Sequence, residues 1–254
     1  MPAYPGTQSV LRAVALLKAF TDSQPELGLK ELARAAKLNK TTAFRMLTAL
    51  ESAGLISKND ETDSYRLGPE AIALGGRALR ANRLYLASRP ELEALAQKTG
   101  ETATLEVLTG GETLILDEVL SHYFVGATPS IGTRWPAHTT STGKVLLAHL
   151  STEEFDAILS GRLAKPTANS VTSPAALRRE LNRVREQGYA VADEELEVGH
   201  VAVGAPVRNH EGRVVAAISV GGPSARLTPE RIAELTPRAI QAADRISKTL
   251  GYSK

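Results

Sequence analysis

Apolar residues fall at steps of three and four along three stretches near the start of the chain. Leu11, Val14, Leu17 and Phe20 form the first stripe, and Ser9 stands where the cap of the helix they predict belongs. Residues 22–28 read as a loop. Leu29, Leu32, Ala33 and Ala36 make the inward face of a short second helix, followed by a tight turn at Lys37-Leu38. Asn39 is placed to cap a third helix over about 40–53, with Ala43, Met46, Leu47 and Leu50 as its buried stripe and Gly54 as a left-handed end. The period then changes. Two strand-like runs, 55–57 and 64–67, flank a polar turn at 59–63, and Gly68 closes the second. Three helices followed by a hairpin predict a winged helix-turn-helix. Pro69 suits the first position of a further helix over 70–83, rich in Ala, Gly and Arg, with a bend or close backbone approach at Gly75-Gly76.

On the third helix Thr41, Arg45 and Thr48 share a face away from the apolar stripe, with Lys40, Thr42 and Phe44 beside them near the N-terminal end. A helix that reads DNA must bring such groups to base edges in the major groove. Lys58 and Arg66 on the hairpin suit phosphate contact. Any amphipathic helix has a polar face; the order of the elements is what favours DNA over a plain helical bundle.

Past residue 90 the pattern alternates between helix and strand periods. Pro90 opens a helix through Leu92, Leu95 and Ala96 that Gly100 ends. Strand-like runs at 103–108 and 113–119 meet at Thr109-Gly110-Gly111, a hairpin signature. A loop to about Pro136 holds Pro129, Gly132 and the single tryptophan, Trp135. Helices follow over 143–150 and 174–187, the latter burying Ala176, Leu177, Leu181 and Val184. A second hairpin, 201–207 and 214–220, turns at Asn209-His210-Glu211-Gly212, and a last helix runs from Thr228-Pro229-Glu230 to about Leu250. Hairpins with separated helices predict an α+β domain on an antiparallel sheet. The expected division is 1–68 for the winged helix-turn-helix, 69–89 for a linker helix and 90–254 for the sheet domain.

Composition narrows the class. With 254 residues, 43% hydrophobic and 23% charged, the chain has room for two modest globular domains. No apolar run approaches the roughly 20 residues that cross a bilayer, and residues 1–9 lack the basic start and apolar stretch of a signal peptide. The absence of cysteine excludes disulfides and thiolate metal sites and fits a cytoplasmic protein. Net charge is +2, but residues 1–80 carry 11 Lys and Arg against 8 Asp and Glu, so the weak positive excess sits in the helical third.

Together these residues resemble the IclR family of transcription regulators. The resemblance lies in Leu32-Ala33, Lys40-Thr41-Thr42-Ala43-Phe44-Arg45-Met46-Leu47, Leu50-Glu51, Gly54-Leu55 and Tyr65-Arg66-Leu67-Gly68. It continues in Trp135-Pro136-Ala137-His138-Thr139-Thr140-Ser141-Thr142-Gly143-Lys144 with Leu146-Leu147-Ala148. It ends in Asp193-Glu194-Glu195, Gly199, Ala205-Pro206-Val207, Gly212, Val215-Ala216-Ala217-Ile218-Ser219-Val220 and Gly222-Pro223. The resemblance covers nearly the whole chain in order. It implies a winged helix, a linker helix and a GAF-like effector-binding domain, assembled as a homodimer or homotetramer on double-stranded operator DNA.

Enzyme readings fare poorly against the same residues. A P-loop needs glycine where His138 stands and a hydroxyl where Val145 stands. A nucleophile elbow at Ser141 needs glycine where Thr139 stands. His138 and Asp193 complete a triad only on paper. His122, His138, His149 and His200, with residues 193–195, offer metal ligands without a paired spacing. No catalytic residue, metal or cofactor is assigned. Ser141 and Thr142 at a helix start sit beside free N–H groups, which favour an anion. The resemblance implies an effector pocket of Ala127, Ser141, Thr142, His200, Ala202, Ser219 and Gly221. Ala202 and Gly221 replace polar residues of some members, which leaves room for a more apolar ligand, with Val125, Ala202 and Val220 as wall around Ser219. The expectation is a repressor of a catabolic operon answering to a small organic acid. Two alternatives stay open: an enzyme acting on that ligand, and a DNA-binding protein without one.

Overall fold

The computed structural model describes residues 7–122, 131–159, 161 and 163–253. It separates into two compact units, Met1–Ala81 and Asn82–Lys254.

In the first unit α1 spans Gln8–Leu17, α2 Leu29–Ala35 and α3 Lys40–Ser52. Strands β2 (Ile56–Asn59) and β3 (Ser64–Leu67) form the hairpin, and α4 covers Pro69–Arg80 with proline in its first turn. Asn39 caps α3 as its position predicts: its side chain accepts from Thr42 N–H at 2.8 Å. Leu16, Leu27, Leu32, Leu47, Leu50, Ile56 and Tyr65 close the core. Two expectations are corrected. The first helix begins at Gln8, with Ser9 inside it, and its core face is Leu16 with Ala13 and Leu17, while Phe20 packs on the same core from beyond the helix end. Val10, Leu11 and Val14 lie on the other side, 63%, 51% and 39% exposed. A helix apolar on both sides does not reveal from its own pattern which side is covered. The stretch read as a loop contains β1, Glu26–Gly28, which pairs antiparallel with β3, Glu26 opposite Arg66. That partner lies 40 residues on, beyond any local pattern.

The second unit is built on a six-stranded antiparallel sheet ordered β6-β5-β4-β9-β8-β7. The strands are β4 (Thr102–Thr109), β5 (Glu112–Val119), β6 (Arg134–Pro136), β7 (Ala190–Asp193), β8 (His200–Arg208) and β9 (Val214–Pro223). Side chains alternate across it. Leu105, Val203, Ile218 and Val220 face one side, under α5 (Arg83–Thr99) and α9 (Pro229–Thr249). On the other side α6 (Ser141–Ala148), α7 (Thr152–Leu159) and α8 (Pro174–Gln187) pack through Val145, Leu146, Phe155, Leu177 and Leu181.

Pro90 does not open a helix; it lies inside α5, which starts at Arg83 behind Asn82, whose side chain accepts from Leu84 N–H at 2.9 Å. A proline inside a helix removes one backbone hydrogen bond, and α5 continues through it because Leu84, Ala87, Leu92 and Leu95 cover the sheet. Strands β6 and β7 and helix α7 were not anticipated; each is short and held by neighbours rather than by its own period.

Candidate functional site

The first unit presents α3 to solvent along one side. Lys40, Thr41, Phe44, Arg45 and Thr48 are exposed and Thr42 half-buried, while Ala43, Leu47 and Leu50 are buried. Phe44, an aromatic ring 51% exposed, stands out on this face. Thr48 donates its hydroxyl back to Phe44 C=O at 3.0 Å, which leaves its oxygen available as an acceptor. The wing residues do not converge. Lys58 pairs in register with Tyr65 and Arg66 with Ser57, so the two cations lie on opposite faces of the hairpin. Lys58 Nζ reaches Asp63 at 2.7 Å across the turn, and Arg66 lies 3.7 Å from Glu26.

The second unit holds a cavity of about 260 Å³ between the sheet and the start of α6. Ser141, Thr142, His200, Ala202, Ser219 and Gly221 all line it; Ala127 and Val125 lie outside the described residues. Val220 is not in the wall. It points through the sheet into the core under α5 and α9, because it neighbours Ser219 on a strand whose side chains alternate.

Close approaches position the start of α6. Thr140 is its cap, accepting from Gly143 N–H at 2.9 Å, so Ser141 and Thr142 occupy the first two helical positions, whose N–H groups have no partner within the helix. A β-carbon on Gly143 would stand 2.0 Å from Ala137 O, and one on Gly204 2.7 Å from Ser141 C. Only glycine lets the helix lie this close to β8 and to the 3-10 turn Ala137–Thr139.

The floor is polar where the sequence suggested apolar. Glu106 on β4 is buried and faces the cavity. Thr142 Oγ1 donates to its Oε2 at 2.6 Å and Thr104 Oγ1 to its Oε1 at 2.9 Å, and Thr104 continues to Ser219 Oγ at 2.8 Å. Glu106 shares this face with Thr104 because side chains two apart on β4 point the same way, and a bulge on β5 brings Ile115 opposite it: Leu105 pairs with Asp117 but Glu106 with Ile115, leaving Leu116 unpaired. Burial pushes the Glu106 carboxyl above the usual carboxylate range, against the pull of its hydroxyl partners.

Two ion pairs neutralise other carboxylates of the lining. Arg226 grips Glu101 through two bonds, Nε to Oε1 at 2.8 Å and Nη2 to Oε2 at 2.6 Å. Lys144, fully buried on α6, donates to Glu195, to Glu180 at 2.5 Å and to Val191 C=O at 3.2 Å. All three of its N–H bonds are engaged, so it has none left for a phosphate. Burial raises Glu195 while Lys144 draws it down, and its Oε2 has no partner. His138 Nε2 sits 2.8 Å from Ala164 O, not on Asp193, so no triad forms there. Among the described residues no three of His, Asp and Glu converge as metal ligands, and no helix is long and apolar enough to cross a membrane.

Sequence reasoning missed Glu106, Glu101, Arg226 and the Lys144–Glu195 pair. Glu106 carried a faint signal, a lone carboxylate in an otherwise apolar strand two residues from Thr104. A lysine or glutamate on a helix or loop carries none.

Comparison with known proteins adds an independent line. The family description "Bacterial transcriptional regulator IclR C-terminal" matches residues 76–248, and "IclR helix-turn-helix domain" matches residues 9–60. The chain is 34% identical to the HTH-type transcriptional regulator XynR of Escherichia coli over 98% of this chain and 99% of that protein. It is 31% identical to the transcriptional repressor IclR of the same organism over 99% and 92%. Among solved structures, an IclR homolog complexed with 4-hydroxybenzoate from Microbacterium hydrocarbonoxydans superposes with a TM-score of 0.82 at 28% identity, covering 96% of this chain and 99% of that one.

Proposed function

Because the chain belongs to the IclR family of bacterial transcriptional regulators, we propose that it represses a catabolic operon from the cytoplasm and changes its hold on operator DNA when a small organic acid fills the cavity. The protein is a DNA-binding regulator, not an enzyme. The observation that carries the sensing role is the convergence of Ser141, Thr142, His200, Ala202, Ser219 and Gly221 on one cavity. The free N–H groups at the start of α6 favour a carboxylate. Three of the five glutamates on the lining are offset, since Arg226 holds Glu101, Lys144 holds Glu195, and burial favours the neutral form of Glu106; Glu118 and Glu197 stand on the same lining. The 4-hydroxybenzoate of the Microbacterium homolog is itself a carboxylate.

On the DNA side, Lys40, Thr41, Thr42, Phe44, Arg45 and Thr48 form the reading face, and Lys58 and Arg66 grip phosphates on either side of the wing. Operator specificity needs two copies, since one recognition helix reads few bases. The exposed Val10, Leu11 and Val14 on α1, and Ile72 and Leu74 on α4, supply apolar surface for a homodimer or homotetramer. Residues 69–89 serve as the linker between DNA and effector halves.

Mobility-shift titration of the DNA upstream of this gene, with and without candidate acids, tests the whole reading, with calorimetry against carboxylates, amines and sugars alongside. Binding of only neutral or cationic compounds would remove the carboxylate and leave the regulator. A monomer by light scattering at micromolar concentration, with and without DNA, would remove the assembly.

A further inference from the structure

Glu106 is a buried carboxyl group without a counter-ion. None of the ion pairs among the described residues that reach the cavity, Arg226 with Glu101 and Lys144 with Glu195, includes it. Its neighbours are hydroxyls, Thr142 at 2.6 Å and Thr104 at 2.9 Å, with Ser219 joined to Thr104 at 2.8 Å. Carboxyl and hydroxyl groups that share hydrogen bonds this way both give and accept, and the four side chains present one such surface to the cavity.

A further group of the same cavity is unpaired. Ser141 Oγ, also on the lining, makes no hydrogen bond among the described residues. A ring or alkyl chain laid against the Ser141 hydroxyl and the Glu106 group would seal them from water without replacing its hydrogen bonds. A ligand bearing hydroxyls along its length satisfies them. The cavity, about 260 Å³, lies just under the roughly 300–1,000 Å³ typical of drug-sized sites, which suits a short chain.

We propose that Glu106, with Thr104, Thr142 and Ser219, reads hydroxyl groups of the effector, so that the cavity selects an aliphatic hydroxy acid over an alkyl or aromatic acid of equal charge. This rests on the carboxylate reading above and narrows it. Glu106 is the residue that sets the choice.

The test is calorimetric titration of the full-length protein with matched acids: glycerate, threonate and gluconate against propionate, butyrate, hexanoate and benzoate. At least one hydroxy acid binds, and its alkyl counterpart binds at least about tenfold more weakly, the loss expected for one unmatched buried hydrogen bond. Glu106→Leu removes both oxygens and abolishes that preference, whereas Glu106→Gln, which keeps a donor and an acceptor, retains it within about threefold. Thr142→Val gives the same readout if the leucine variant does not melt cooperatively. Binding of only alkyl or aromatic acids overturns this inference and leaves the carboxylate reading standing. Binding of none of the seven overturns both. A hydroxy-acid preference that survives in Glu106→Leu and Thr142→Val removes Glu106 from the role.

Discussion

Thr142 Oγ1 lies 2.6 Å from Glu106 Oε2, a contact between the second residue of a helix and the middle of a strand 36 residues earlier. It fastens the start of α6 to the sheet beside a buried acid that has no ion-pair partner among the described residues. The helix end that would hold an anion and a carboxyl that burial pushes above its usual range are thus adjacent, and a neutral Glu106 opposes an anion there less than an ionised one.

The protonation of Glu106 therefore enters the stability of the fold. Its pKa in the folded chain is raised by burial. The stabilising balance is fully present below the ordinary carboxylate range and is lost as pH rises from the unfolded value through the folded one. The slope within that window is about 1.4 kcal/mol per pH unit. Glu106→Gln has no proton to lose there. Glu195 and Asp117, also raised by burial, are common to both proteins and cancel in the difference. Melting curves from pH 4 to 8 should show the glutamine variant gaining on the wild type as pH rises. A constant difference across that range would mean that Glu106 titrates as an ordinary surface acid.

Lys144 sets a second expectation. Its ammonium group is fully buried between Glu180 and Glu195. Lys144→Met leaves Glu195 buried beside a thioether, and breaking a buried pair from one side costs about 3–5 kcal/mol. Adding Glu195→Gln returns part of that loss, because the orphaned charge is gone. Urea midpoints of the single and double variants check this. A single-variant loss under about 1 kcal/mol would show the three groups to be solvated in solution.

In the first unit, on the elements proposed to meet DNA, Arg45 is exposed and Lys58 is tied to Asp63. Arg45→Ala should cost about 1–3 kcal/mol at the operator, as expected for a guanidinium that reads a guanine, and little on unrelated DNA. Lys58→Ala should weaken both alike and reduce the salt slope by about 1, the mark of one lost phosphate contact. The Asp63 pair must open first, so the lysine effect is the smaller. Fluorescence anisotropy at several salt concentrations separates the two. Unchanged affinity in both variants would remove α3 and the wing from the interface.

Much of this was legible in the chain because it is local. The stripe Ala43-Leu47-Leu50, the Asn39 cap and the Gly110-Gly111 turn follow from spacing and backbone preference, and the structure has each of them. What was not legible is non-local. Strand β1 is held by pairing with β3, where Arg66 stands opposite Glu26, and the polar floor is assembled from β4, β9 and α6, whose Glu106, Ser219 and Thr142 meet only in the fold. The apolar wall expected at Val220 failed for a related reason: one residue along a strand is the other face of the sheet. Six effector positions inferred by resemblance do line one cavity, since the motif around Ser141 fixes where α6 begins. The acids and cations around them come from separate elements, and only the fold brings them together.

The start of α6 supplies the last prediction. Ser141 is its first residue, is buried, and has a hydroxyl that meets the cavity without another partner among the described residues. The N–H groups of Ser141 and Thr142 have no helical acceptor, and the helix dipole adds to the pull on an anion. A carboxylate docked there would take the Ser141 hydroxyl as one charge-assisted hydrogen bond, worth about 1.5–3 kcal/mol. Ser141→Ala should then weaken the acid effector by roughly ten- to a hundredfold. Ser219→Ala breaks the link to Thr104 and should weaken binding as well, but its effect should track the hydroxyl groups of the ligand rather than its charge. Titrating both variants with an acid and with its neutral amide distinguishes them. In Ser141→Ala the acid loses more than the amide; in Ser219→Ala both lose alike. Equal losses in the two variants would place the carboxylate elsewhere in the cavity, with the Arg226 end as the next position to test.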